Sequence, residues 1–149
     1  MEIIIKKFKE LELKELYQIL KIRAEVFVVE QNCPYLDPDD KDYFSEHLMI
    51  VEDKEIMAYA RLVKPGVSYD ESSIGRVLVG KKHRKKNLGK KLMEQAINHI
   101  TTNWKEHKIR ISAQAYLLKF YEEAGFKAIS EEYLEDDIPH VEMLFEKCS

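Results

Sequence analysis

The sequence predicts a single-domain α/β fold, and three features carry that prediction: two amphipathic helical stretches, several short apolar runs of strand length, and a basic loop joining a strand to a helix. A length of 149 residues suits one domain with its own core. Hydrophobic residues at 45% and charged residues at 34% exclude a disordered or collagen-like chain.

Ile3-Ile4-Ile5, followed by Phe8, reads as a short first strand. Leu13, Leu16, Tyr17, Leu20, Ala24, Phe27 and Val28 then recur at helical spacing, which predicts an apolar stripe against the sheet. That helix is expected to stop before Asn32-Cys33-Pro34, because proline disfavours helical geometry in the residue before it. Tyr35 to Glu46 reads as an acidic loop. His47 to Glu52 and Ile56 to Val63 form a predicted hairpin across Asp53-Lys54-Glu55, and Ser73 to Val79 is a further strand. Leu88, Leu92, Met93, Ala96, Ile97, Ile100 and Trp104 define the second helix. Ile109 to Ala113 reads as a buried strand, and Leu117 to Ala124 as a short helix stopped at Gly125. Two last strands flank the turn Glu135-Asp136-Asp137-Ile138-Pro139. This order mixes antiparallel pairs with crossover units, so the sheet should be mixed, mostly antiparallel, and covered by helices on both faces.

The N-terminus shows no signal-peptide pattern and no apolar run reaches the roughly 18 residues of a transmembrane helix, so a cytoplasmic protein without a membrane partner is expected. Cys33 and Cys148 lack ligand spacing and read as free thiols, with no metal implied. The net charge of -3 conceals a basic run, Lys81 to Lys91, and acidic stretches at Asp37 to Asp42 and Glu131 to Asp137.

The strand Ser73 to Val79 empties through Gly80 to Lys86 into a helix opening at Asn87-Leu88-Gly89-Lys90. Such a junction aims unpaired backbone N–H groups and the positive end of the helix dipole at whatever lies in front, which makes it an anion site. Gly89 would let a diphosphate approach the backbone closely, while Arg84, Lys85, Lys86 and Lys90 add charge.

Arg84-Lys85-Lys86-Asn87-Leu88-Gly89 resembles motif A of the GNAT acetyltransferases, with Asn87 at the first glycine position, a residue that tolerates left-handed geometry and caps helices. Ile111 to Phe126, ending Phe120-Tyr121-Glu122-Glu123-Ala124-Gly125-Phe126, resembles motif B, with Gln114 where many relatives carry Asn. A closer resemblance to the ElaA-like branch rests on Arg23 to Tyr35, Ala58-Tyr59-Ala60-Arg61, Ile74-Gly75-Arg76-Val77 and Glu132 to His140, with Asp137 where glycine is expected. The resemblance implies that residues 1–149 form one GNAT domain that transfers acetyl from acetyl-CoA to the amine of a small molecule or peptide by direct attack.

The resemblance further implies a role for each site residue. Val77, Leu78 and Val79 would polarise the thioester carbonyl and hold the pantetheine arm through backbone N–H groups at a strand bulge. Arg84, Lys85, Lys86, Asn87, Leu88, Gly89, Lys90, Gln114 and Tyr121 complete the coenzyme site. Tyr121 is the family's donor to the leaving sulfur, although its ring also reads as ordinary packing on the sheet. With a phenol pKa near 10 against roughly 8.5 for a thiol, a hydrogen bond is easier than full protonation. His140 is the candidate base, since histidine is the one side-chain type whose ordinary titration falls near neutral pH, with Glu25, Glu30 or Glu71 acting through water as alternatives. Glu30, Arg61, Arg76 and His140 border the expected acceptor site. Arg23, Arg61 and Arg76 interrupt apolar elements and need buried partners such as Glu25 or Glu30; a guanidinium left free in the cleft would instead select an acceptor carrying carboxylate or phosphate, and the acidic turn a cation. The expected partners are a small-molecule amine and potentially a second copy in a homodimer. Two rivals are a catalytically silent CoA sensor and a nucleic-acid-binding module using Lys81 to Lys91, which lacks the interleaved aromatics of single-strand binders.

Overall fold

The computed structural model describes residues 1–148. Strands β1 (Glu2–Lys7), β2 (Ser45–Glu52), β3 (Glu55–Val63) and β4 (Ser73–Val79) form one antiparallel sheet in the order β1-β2-β3-β4. In the second sheet β8 (Ile138–Glu146) lies between β5 (Lys108–Gln114) and β6 (Lys127–Ala128), and β7 (Tyr133–Glu135) also pairs with β8. Asp53 and Lys54 turn the β2–β3 hairpin, and Asp136 and Asp137 turn β7 into β8, all with positive φ. Asp137 has φ 62°, which explains the glycine expected there.

The side chains of the first sheet alternate between two helical layers. Leu48, Ile50, Ala58, Ala60 and Leu62 pack with Leu88, Leu92, Met93 and Ala96 of helix α2 (Leu88–Asn98), which runs on as a wider π-turn over His99–Asn103. On the opposite face Met49, Ile56, Tyr59 and Leu78 meet Ile19 and Val26. Ile19 belongs to helix α1 (Leu13–Arg23), and Val26 to the π-helical continuation Ala24–Glu30. Helix α3 (Leu118–Glu123) ends at Gly125, whose φ of 107° favours glycine.

The stripe predicted for the first helix is rotated. Leu13 is 87% and Tyr17 72% exposed, whereas Ile19 and Arg23 are fully buried. An arginine sealed with carboxylate partners takes a core position that apolar periodicity does not register.

Two irregularities open the molecule. Tyr59 pairs with Leu78 but Arg61 pairs with Gly75, so β4 carries an extra residue, and Arg76 there adopts φ 49°. The bulge thus centres on Arg76 and Val77, at the near edge of the predicted segment. The sheets then part: among the described residues one isolated parallel bridge, from Ser72 just before β4 to Ile109 of β5, pairs them, with Arg110 N donating to Ser72 O at 2.9 Å. Beyond it the two strands diverge around a cleft.

Candidate active site

The cleft holds a cavity of about 760 Å3 whose walls include Val77, Val79, Gln114, Tyr121, Arg76 and His140. A second hollow of about 640 Å3 over the loop and the start of α2 shares Val79, Arg84, Gly89 and Phe120 with it. The predicted coenzyme and acceptor residues therefore line one continuous groove, except Lys86, which lies outside both hollows.

Strand geometry decides which β4 amides face it. Gly80 N donates to Met57 O of β3 at 2.8 Å, and successive N–H groups point to opposite edges. Leu78 N–H accordingly turns toward β3, while Val77 and Val79 present theirs to the cleft. Val79 O, on the same open edge, accepts from Arg84 Nε at 3.1 Å.

Beyond β4 the loop leaves its backbone unspent. The first helical bond runs from Lys91 N to Asn87 O at 3.2 Å, and among the described residues no amide from Arg84 to Lys90 finds a protein acceptor. Asn87 adopts φ 58°, as its left-handed tolerance predicts, and stands at the N-cap without a side-chain capping bond. Gly89 is needed for packing as well as approach: a Cβ there would lie 3.3 Å from Phe120 Cε1. Exposed Lys85, Lys86 and Lys90 surround these amides. An anion facing this turn meets N–H donors and positive charge, so the residues fit a diphosphate.

Arg84 and Glu30, expected to serve coenzyme and acceptor separately, hold each other. Arg84 Nη2 donates to Glu30 Oε1 at 2.7 Å and Nη1 donates to Oε2, tying the loop to the end of the first helix. Gln114 likewise pairs with Gln31 at 3.3 Å across the cleft.

Tyr121 is 7% exposed, between Phe120 at 5.0 Å and Phe126 at 6.0 Å, edge to face. Its hydroxyl bonds to none of the described residues, and burial pushes its pKa upward, so it stays protonated as a donor. His140, 6% exposed, donates from Nδ1 to Ile138 O at 2.7 Å and stacks on Tyr133. The alternative base Glu71 is held by Arg110, at 3.0 Å through Oε1 and 3.1 Å through Oε2.

Arg23, Arg61 and Arg76 do not pair with Glu25 or Glu30; their partners are aspartates from the acidic loop. Arg23 donates to Asp37 at 2.8 Å and Asp42 at 2.7 Å, while Arg61 grips both Asp39 oxygens at 2.6 and 2.9 Å. Arg76 donates to Asp37 O at 2.8 Å, and its Nε lies 2.9 Å from Asp37 Oδ1 but off the N–H axis, which leaves that N–H and Arg61 Nε without acceptors. Each guanidinium is matched by a carboxylate, so the network presents no surplus positive charge to the cavity. Sequence reasoning missed these aspartates because they lie 14 to 39 residues from their partners.

Burial opposes ionisation of Asp39, but the Arg61 hydrogen bond and the nearby Arg61 and Arg76 charges outweigh it and hold the carboxyl at about 2. A lowered carboxylate pKa stabilises the fold above the unfolded value near 4, and that contribution is lost as pH falls from about 4 to about 2. Wild-type stability should fall by roughly 2 kcal/mol across that window from this group alone. Asp39→Asn should flatten the dependence, checked by urea denaturation at a series of pH values.

The chain carries an acyltransferase fold, with an open strand edge and a helix start of unspent amides facing one groove. A family model described as an acetyltransferase (GNAT) domain matches residues 37–147. ElaA of Escherichia coli is 39% identical over 136 residues, covering 90% of this chain and 89% of that protein. The crystal structure of E. coli ElaA superposes with a TM-score of 0.91 at 37% identity, covering 97% of this chain and 99% of that one. An acyl-CoA N-acyltransferase from Pseudomonas aeruginosa also superposes at 0.91, with 41% identity and the same coverage. The chain belongs to the GNAT acetyltransferase family, in its ElaA-like branch. No helix among the described residues is long and apolar enough to cross a membrane.

Proposed function

We propose that this protein transfers an acetyl group from acetyl-CoA to the amine of a small molecule or peptide by direct attack. The observation that carries this reading is the run of unspent amides from Arg84 to Lys90, opening onto the groove that the free edge of β4 enters. The amides of Arg84 to Lys90 hold the coenzyme diphosphate, with Lys85, Lys86 and Lys90 adding charge, and the Val77 and Val79 amides align the pantetheine arm and polarise the acyl carbonyl. When bound, the coenzyme supplies an activated acyl thioester. The chain's part is to orient, to take a proton and to donate a hydrogen bond. His140 accepts the amine's proton, and Tyr121 directs its hydroxyl hydrogen at the place where sulfur acquires charge. Buried and protonated, Tyr121 has no competing acceptor among the described residues.

Amines are screened with acetyl-CoA while free thiol is followed; a chain that binds the coenzyme but releases no thiol with any amine would refute the transfer. Tyr121→Phe should leave coenzyme affinity intact and slow turnover on the order of tenfold or more. Wild-type rates in that variant would remove the donor role.

A further inference from the structure

Of Arg84, Lys85, Lys86 and Lys90, the cations around the start of α2, only Arg84 has a carboxylate partner among the described residues. Its Nη1 and Nη2 fork onto the two Glu30 oxygens, and its Nε donates to Val79 O at 3.1 Å. The guanidinium therefore lies as a bar between two walls, the free edge of β4 on one side and the end of the first helix on the other. Arg84 lines both hollows of the groove, whereas Glu30 lines only the one that reaches the acceptor residues. An acyl-pantetheine arm running from the start of α2 to the Val77 and Val79 amides has to pass this bar. The bar also takes Val79 O, a main-chain acceptor on the free edge.

The fold holds Glu30 in that position. The first helix widens into π-helix over Ala24–Glu30, an irregularity that often marks a functional segment. Cys33 N donates to Val28 O at 3.1 Å, which closes the last wide turn, and Asn32 within it adopts φ 51°. The residues after Glu30 fasten the segment to the far side of the cleft. Gln31 and Gln114 exchange amide hydrogen bonds at 3.3 Å, and Cys33 Sγ donates to Asp136 O at 3.4 Å. Glu30 is thus the link from this segment to the coenzyme loop. Both members of that link are partly open to water, Arg84 at 40% and Glu30 at 34% side-chain exposure.

We propose that Glu30 is an autoinhibitory stand-in for the coenzyme diphosphate: it occupies the Arg84 guanidinium, and the coenzyme binds by taking Arg84 away from it. This latch rests on the acetyltransfer reading above. A carboxylate offers two oxygens to the guanidinium fork as a phosphate does, so the exchange keeps both Nη donors bonded. One fork cannot serve both anions at once. Turning Arg84 toward the unspent amides also releases Val79 O and lifts the bar from the groove. An ion pair this exposed contributes little, so a diphosphate backed by main-chain donors and by Lys85 and Lys90 displaces it. A merely structural tie has the opposite consequence: there the pair orders the loop for the coenzyme, and breaking it weakens binding.

The test titrates the full chain by calorimetry with coenzyme A and, separately, with inorganic pyrophosphate. Glu30→Gln should tighten both about threefold, the size of one partly exposed ion pair. In an Arg84→Met background, Glu30→Gln should change neither affinity, which separates release of the guanidinium from simple loss of a nearby negative charge. Unchanged or weaker binding in Glu30→Gln, or the same gain without the guanidinium, would overturn the latch and leave the acetyltransfer reading standing. A wild-type chain that binds neither coenzyme A nor pyrophosphate would overturn both.

Discussion

Gly89→Glu is expected to abolish coenzyme A binding while leaving the chain folded. Gly89 is the second residue of α2, among amides with no acceptor among the described residues, and it borders the hollow that Lys85 and Lys90 also line. A carboxylate there brings fixed negative charge to the point where a diphosphate must come closest to the backbone. The expected loss is at least a hundredfold, roughly 3 kcal/mol. Stability should change far less, because an acidic residue in the first turn interacts favourably with the helix dipole. The steric demand is separate: the new Cβ would stand 3.3 Å from Phe120, a half-buried ring that must yield a few tenths of an ångström. Gly89→Gln has the same shape without charge and should bind more weakly than wild type but more tightly than Gly89→Glu. Calorimetric titration with coenzyme A reads the difference, and unchanged affinity in folded Gly89→Glu would remove the cradle.

How much of this was legible in the sequence depends on how local each feature is. Helix α2 was readable because Leu88, Leu92, Met93 and Ala96 all face one apolar layer, and so was the loop-to-helix junction before it, whose parts are contiguous. The first helix was found but its face was misjudged: Arg23 sits in the core with charged partners, and Leu13 and Tyr17 point outward. Strand β6, Lys127–Ala128, is too short to carry a period of its own. The cleft's cross-contacts were hidden for a different reason. Arg84 and Glu30 are 54 residues apart and Gln114 and Gln31 are 83 apart, so only the closed fold brings them together. Glu135 was visible as charge beside Ile138-Pro139-His140, but its geometry depends on β7 folding back on β8, pairing Glu135 with Ile138.

Arg23→Met should be the most destabilising single substitution in the cleft wall. Its side chain is fully buried, bonded to Asp37 through Nε and to Asp42 through Nη1 and Nη2. Methionine fills much of the volume but leaves the buried Asp42 carboxylate with Arg61 as its one remaining charged partner. Removing one member of a buried ion network costs about 3 to 5 kcal/mol, because the surviving charge stays desolvated. For a chain of this length that corresponds to a fall of roughly 10 °C in Tm. Adding Asp42→Asn should restore part of the loss, since the second change removes the uncompensated charge; coupling of at least about 1 kcal/mol in the double-mutant cycle is expected. Additive effects would show that the two residues do not interact in solution. Asp37 and Asp39 also anchor Arg76 and Arg61 beside the proposed acceptor site, so loosening this loop should raise the acceptor KM before it affects coenzyme affinity, which the proposed function assigns to the start of α2.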